Sequence, residues 1–120
     1  MKIETLEKNG QQIALVHSDE KVILDAQSAL DFMMTVQYET NSRFIALNKE
    51  AIAEDFFILS MRIAGEVLQK FINYQMKFAI YGDFTRYDSK ALKDFIYECN
   101  NGKDLFFVTT KEEAIDMLAR

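Results

Sequence analysis

The chain has one histidine, His17, and one cysteine, Cys99, so a thiol nucleophile would have a single imidazole to activate it. Spacing argues for another role. Cys99 follows Leu92, Phe95 and Ile96 at intervals of three and four, on the inward face of a helix, where a free cysteine acts as a small hydrophobe. One histidine and one inward thiol do not make a zinc site. Gly82-Asp83-Phe84 has the form of a phosphate or metal turn. No glycine-rich loop, P-loop lysine or second carboxylate at metal-ligand spacing accompanies it, and the need to leave a buried strand sharply explains the glycine as well. No catalytic residue, metal ligand or cofactor is assigned from the sequence.

Two constellations remain. His17, Asn48, Lys49, Asp83, Thr85, Arg86 and Thr109 each come at or just after the end of an apolar run. If the runs are parallel strands, these residues share the edge where open α/β sheets place ligands. Asn48, Asp83, Thr85 and Arg86 form the candidate ligand-binding set, suited to a small polar molecule, and would make the chain a small-molecule-binding protein or a weakly active enzyme. Such rims are polar in any case, because loops are wetted. The second constellation is the stripe Arg62, Glu66, Gln69, Lys70 and Asn73, whose i, i+4 charges suit a solvated helix face. Leu59 and Ile63 lie beside it, and apolar residues rimmed by charge mark a partner-binding surface. The candidate set there is Leu59, Arg62, Ile63, Glu66, Lys70 and Asn73.

The elements that must position these residues follow from hydrophobic period and punctuation. Asn9-Gly10 is a two-residue hairpin signal between segments 2–8 and 11–17, setting Leu6 against Ile13 and Glu4 against Leu15. Asp25 is the expected N-cap of a first helix whose apolar face carries Ala26, Leu30, Met33 and Met34, as far as Tyr38. Arg43–Asn48, Met76–Gly82 and Leu105–Thr109 read as strands. Between the first two, the spacing predicts a helix with Phe57, Met61, Ala64, Leu68 and Phe71 on its core stripe. Gly65 on its flank is expected where a neighbouring strand comes close. Ser89 caps a third helix that ends at Asn101-Gly102 in left-handed fashion, and Thr110 with Glu113 forms a capping box for a fourth. Strand–helix alternation of this kind specifies parallel strands joined by crossover helices.

At 120 residues and 49% hydrophobic composition the chain is expected to be a single domain, residues 1–120, with a core that needs neither disulfides nor metal. The net charge of -5, with each basic residue shadowed by an acid, argues against a nucleic-acid partner. The charged N-terminus resembles no signal peptide, no apolar stretch approaches a membrane span, and a lone cysteine suits a reducing compartment, so a cytoplasmic location is expected.

The segment Phe106-Phe107-Val108-Thr109-Thr110-Lys111-Glu112-Glu113-Ala114-Ile115 resembles the end of a STAS domain, the fold of the anti-sigma factor antagonists, where such a run closes the sheet and starts the last helix. Ala64–Tyr74, Gly82-Asp83-Phe84, Asp94–Glu98 and Asn101-Gly102 are similar to a bacterial family catalogued as domain of unknown function 4180, over nearly the whole chain. These resemblances imply an α/β, STAS-like fold of order ββαβαβαβα: a mixed sheet with a parallel core of three strands and an N-terminal hairpin. STAS antagonists carry an Asp-Ser-Ser/Thr-Gly phosphorylation switch, but here Asp55 is followed by Phe56, Phe57, Ile58 and Leu59, and Ser60 comes late. The functional expectation is a non-enzymatic regulatory or protein-interaction module with a protein partner, self-association being the other association to test.

Overall fold

The computed structural model describes residues 1–120. Its elements are β1 (Lys2–Lys8), β2 (Gln11–His17), α1 (Ala26–Thr40), β3 (Phe44–Asn48), α2 (Ile63–Asn73), β4 (Lys77–Tyr81), α3 (Lys90–Asn100), β5 (Leu105–Val108) and α4 (Lys111–Leu118). Asn9 (φ 54°) and Gly10 (φ 78°) both adopt the left-handed backbone that a tight hairpin demands. The expected register follows, with Leu6 opposite Ile13 and Glu4 opposite Leu15.

The strands lie in the order β1-β2-β3-β4-β5, antiparallel for the first pair and parallel for the rest. The second hairpin strand therefore joins the parallel run, which has four strands where the sequence suggested three. All three crossovers step the same way, so α1, α2 and α3 cover one face of the sheet. The short α4 turns back over the other.

Strand pleat sorts the core into two layers. Ile45, Leu47, Phe78, Ile80, Leu105 and Phe107 face the three crossover helices, meeting Phe32, Met33, Val36, Val67, Phe71 and Leu92. Ile13, Leu15, Ala46, Ala79 and Phe106 face α4, meeting Ala114 and Leu118. β5 is an edge strand, and Asn100 covers its open side: the side chain accepts from the Phe107 N–H at 2.7 Å and donates to the Phe107 carbonyl at 3.0 Å.

The expected caps are present. Asp25 accepts from the Ser28 N–H, Ser89 from Leu92 and Thr110 from Glu113. Other expectations are corrected. The buried line of α1 runs through Ala29, Phe32, Met33 and Val36, so only Met33 of the four stripe residues is fully buried, and Tyr38 is 92% exposed. Asn101 closes α3 in right-handed backbone at φ -90°, because its N–H can bond back to the last helical carbonyls without a left-handed turn. A Cβ on Gly65 would meet nothing within 4 Å, so no strand approaches it.

The largest correction concerns the approach to α2. Three single-turn 3-10 helices, Lys49–Ala51, Glu54–Phe57 and Leu59–Met61, fill the connection, and α2 begins only at Ile63. Phe57 and Met61 are therefore not on the helix. Phe56 and Phe57 are both buried, in the second of these turns. Arg62, in left-handed backbone at φ 67°, separates the last 3-10 turn from the helix.

Candidate functional site

His17, Asn48, Tyr81 and Val108 end the four parallel strands side by side, as the rhythm of the sequence required. Asn48 is 2% exposed and wholly engaged. Its Oδ1 accepts from the Ser18 N–H at 2.9 Å, and its Nδ2 donates to the Ser18 carbonyl at 2.8 Å and to Glu50 at 3.3 Å. The amide thus ties the end of β3 to the chain leaving β2.

Lys49, next in the chain, is 7% exposed. Its Nζ lies 3.5 Å from Glu54 Oε1, 5.2 Å from the centre of the Phe57 ring and 5.1 Å from that of Tyr87. Those two rings stack with centres 5.2 Å apart. A buried ammonium is tolerable when a carboxylate and aromatic faces replace its water. Glu54 also pairs with Arg86 and accepts from the Tyr87 hydroxyl at 2.9 Å. Partial burial works to raise the Glu54 carboxyl, but the Tyr87 hydroxyl, Lys49 and Arg86 outweigh it and hold its pKa below the usual value.

The cluster latches the β3–α2 connection to the loop after β4. It also explains Gly82. A Cβ there would lie 2.6 Å from the Lys49 Cβ, so the glycine makes room for the lysine stem, and its φ is not in the left-handed region.

Asp83 and Thr85 form a local turn, in which Asp83 Oδ1 accepts from the Thr85 N–H at 2.9 Å and from its hydroxyl at 2.6 Å. These bonds, first the hydroxyl and then the N–H, lower the Asp83 pKa. Thr109 is exposed, and His17 Nδ1 is 3.9 Å from Asp19. The sheet edge brings Asn48, Asp83, Thr85 and Arg86 to one region, and each already bonds a group of the protein itself. Tyr87 and Glu54, which complete the Lys49 cluster, were not singled out from the sequence. An isolated Arg-Tyr pair and a glutamate far away in the chain give no spacing signal.

The family profile for a domain of unknown function, DUF4180, matches residues 8–118. The chain belongs to that family. No curated protein sequence matches it. The DUF4180 chain shares its fold with the crystal structure of a Thermotoga maritima protein proposed to be an anti-sigma factor antagonist. The TM-score is 0.54 at 10% identity, covering 99% of this chain and 94% of that one. Agreement at that identity is an agreement of fold.

The DUF4180 chain places the residues of the second constellation less regularly than a helical stripe. Leu59 lies in the last 3-10 turn and Ile63 at the start of α2, both half-buried against the core. At the start of this stretch the apolar residues left in solvent are Ile58, 49% exposed, and Met61, 50% exposed; Ile72 is also exposed near the end of α2. Arg62, Glu66 and Lys70 take no part in the six ion pairs of the chain, so the i, i+4 pairs suggested by spacing are not made. Gln69 donates instead to Asn73 at 2.8 Å. Low helix propensity in Phe56-Phe57-Ile58 was the available sign that this stretch was not yet helix.

Cys99 is partly buried against the core, beside Leu68, Phe95 and Leu105. Burial, with Glu98 and Asp104 adding to it, pushes its thiol up to about 11. The native thiol should therefore alkylate about a hundredfold more slowly at pH 8 than the same thiol in urea, since the thiolate is the nucleophile. Iodoacetamide labelling followed by mass spectrometry measures this, and equal rates would contradict it. The linkage has a definite sign. Near pH 9–10 the unfolded thiol ionises and the folded one does not, so its stabilising contribution falls as pH rises through that window.

Proposed function

We propose that the chain is a non-enzymatic regulatory module of the bacterial cytoplasm that binds a protein partner at the junction between the 3-10 turns and α2. The observation that carries this reading is the pair Ile58 and Met61, half-exposed just ahead of α2, with Glu54, Arg86 and Asp88 beside Ile58 and the unpaired charges of Arg62, Glu66 and Lys70 following along the helix. Apolar side chains inside a polar rim are the anatomy of a protein interface. Charges with no partner in the chain remain free to set orientation and encounter rate. The fold it shares with a protein proposed to antagonise an anti-sigma factor supports a regulatory role. No helix is long and apolar enough to cross a membrane, in keeping with the proposed location.

Leu59 and Ile63, half-buried against the core, lie beside this surface, and Asn73 is at the far end of α2. Affinity capture from the source organism with mass spectrometry tests the reading. Ile58→Asp and Met61→Asp should each shift stability by less than about 0.5 kcal/mol, the usual range for a surface substitution, while a protein captured by the wild type is lost. Variants that unfold, or capture that survives both changes, would refute the interface.

A further inference from the structure

The face of the sheet under α4 is only half covered. The eight residues of α4 lie over β3, β4 and β5 and reach only part of β2, leaving β1 and the C-terminal end of β2 uncovered on that face. At the hairpin tip the gap is closed: Lys8 pairs with Asp116, and Asn9 donates to the Ala119 carbonyl at 3.4 Å. At the other end, the C-terminal edge of the strands, it opens as a notch of about 280 Å³. Register builds its walls. Lys2 is opposite His17 and Glu4 opposite Leu15, and since Leu15 faces α4, pleat puts all four on that side. Tyr81, from the end of β4, and Lys111, the first residue of α4, complete the lining.

This small space holds the only histidine and two of the lysines of a chain whose net charge is -5. Glu4 is the one carboxylate in its lining and pairs with Lys2 at 3.1 Å, while burial, with Glu50 and Glu112 nearby, raises the pKa of the Tyr81 hydroxyl at the rim. Lys111 takes part in none of the ion pairs, and His17 has only the solvent-exposed Asp19 at 3.9 Å. Two basic groups are thus left facing a cavity whose floor is the Leu15 side chain and the Tyr81 ring. We propose that the notch binds a small organic anion, with a carboxylate or phosphate head on Lys111 and His17 and a short carbon skeleton on Leu15 and Tyr81. The site is on the opposite side of the sheet from Ile58 and Met61, so it stands or falls independently of the proposed interface.

The test is a ¹H–¹⁵N titration of the full chain at neutral pH, with ionic strength held constant by chloride, using butyrate and then inorganic phosphate as probes. The expected result is saturable shifts at Leu15, Val16, His17, Tyr81 and Lys111. Lys111→Gln and His17→Gln should each weaken binding about tenfold, the usual loss of a hydrogen bond to a charged group, while Lys111→Arg retains it. Saturation by butyrate alone assigns a carboxylate head, saturation by phosphate alone a phosphoryl head, and either supports the site. Shifts that rise linearly with both probes, or that are unchanged in Lys111→Gln, overturn it. Both replaced side chains are polar and at the surface, so the rest of the spectrum should stay in place and report folding directly.

Discussion

Phe78→Ala is expected to cost about 3–5 kcal/mol, the range for deleting a fully buried phenylalanine ring. Phe78 is the second residue of β4, has no exposed surface, and stacks on Phe71 with ring centres 4.5 Å apart and planes within 4°. Phe32 approaches it at 6.4 Å. The ring therefore joins α1, α2 and the sheet at one point, and no neighbour can fill its volume without leaving its own contacts. A domain of this size has roughly 5–15 kcal/mol in total, so the variant should be close to the folding threshold. Urea denaturation would show a lower midpoint with an unchanged slope, and Phe78→Leu should recover most of the loss. A loss under about 1 kcal/mol would mean that the site collapses around the missing ring.

Asn48→Ala is expected to cost about 2–4 kcal/mol, because it removes three bonds, two of them to Ser18, whose N–H and carbonyl are left without partners in a buried place. Ser18 is buried, so water cannot simply replace the amide. This experiment separates a clamp from a ligand-binding residue. A clamp loses stability in the absence of any ligand, whereas a residue reserved for ligand would leave the free protein nearly unchanged. Thermal or urea unfolding of the free protein reads the difference.

Much of this architecture is legible in the sequence, and the reasons are local. Asn9-Gly10 must turn because both residues tolerate positive φ. Asp25, Ser89 and Thr110 start helices because their side chains reach the next free N–H groups. The double-sided apolar runs of β3, β4 and β5 belong to strands covered on both faces. The misreading before α2 arose from the same rule. Phe57, Met61 and Ala64 keep helical spacing, but spacing cannot register that Arg62 turns left-handed between them. Gly82 shows the complementary failure. Its reason is the stem of Lys49, and nothing near position 82 records that contact.

By itself the sequence determined the strands and α-helices, their order along the chain, the parallel sense of β3, β4 and β5 and the edge on which their ends gather, because hydrophobic period, caps and turns act over a few residues. Only the tertiary structure decided which polar groups at that edge are consumed and which are left over. Asn48 is taken by Ser18, and Lys49, Glu54, Arg86 and Tyr87 take one another, while Lys111 and His17 remain beside an open notch. Partners so far apart in the chain meet through strand order and pleat. The supply of unengaged polar groups at a surface is therefore set by packing, not by spacing.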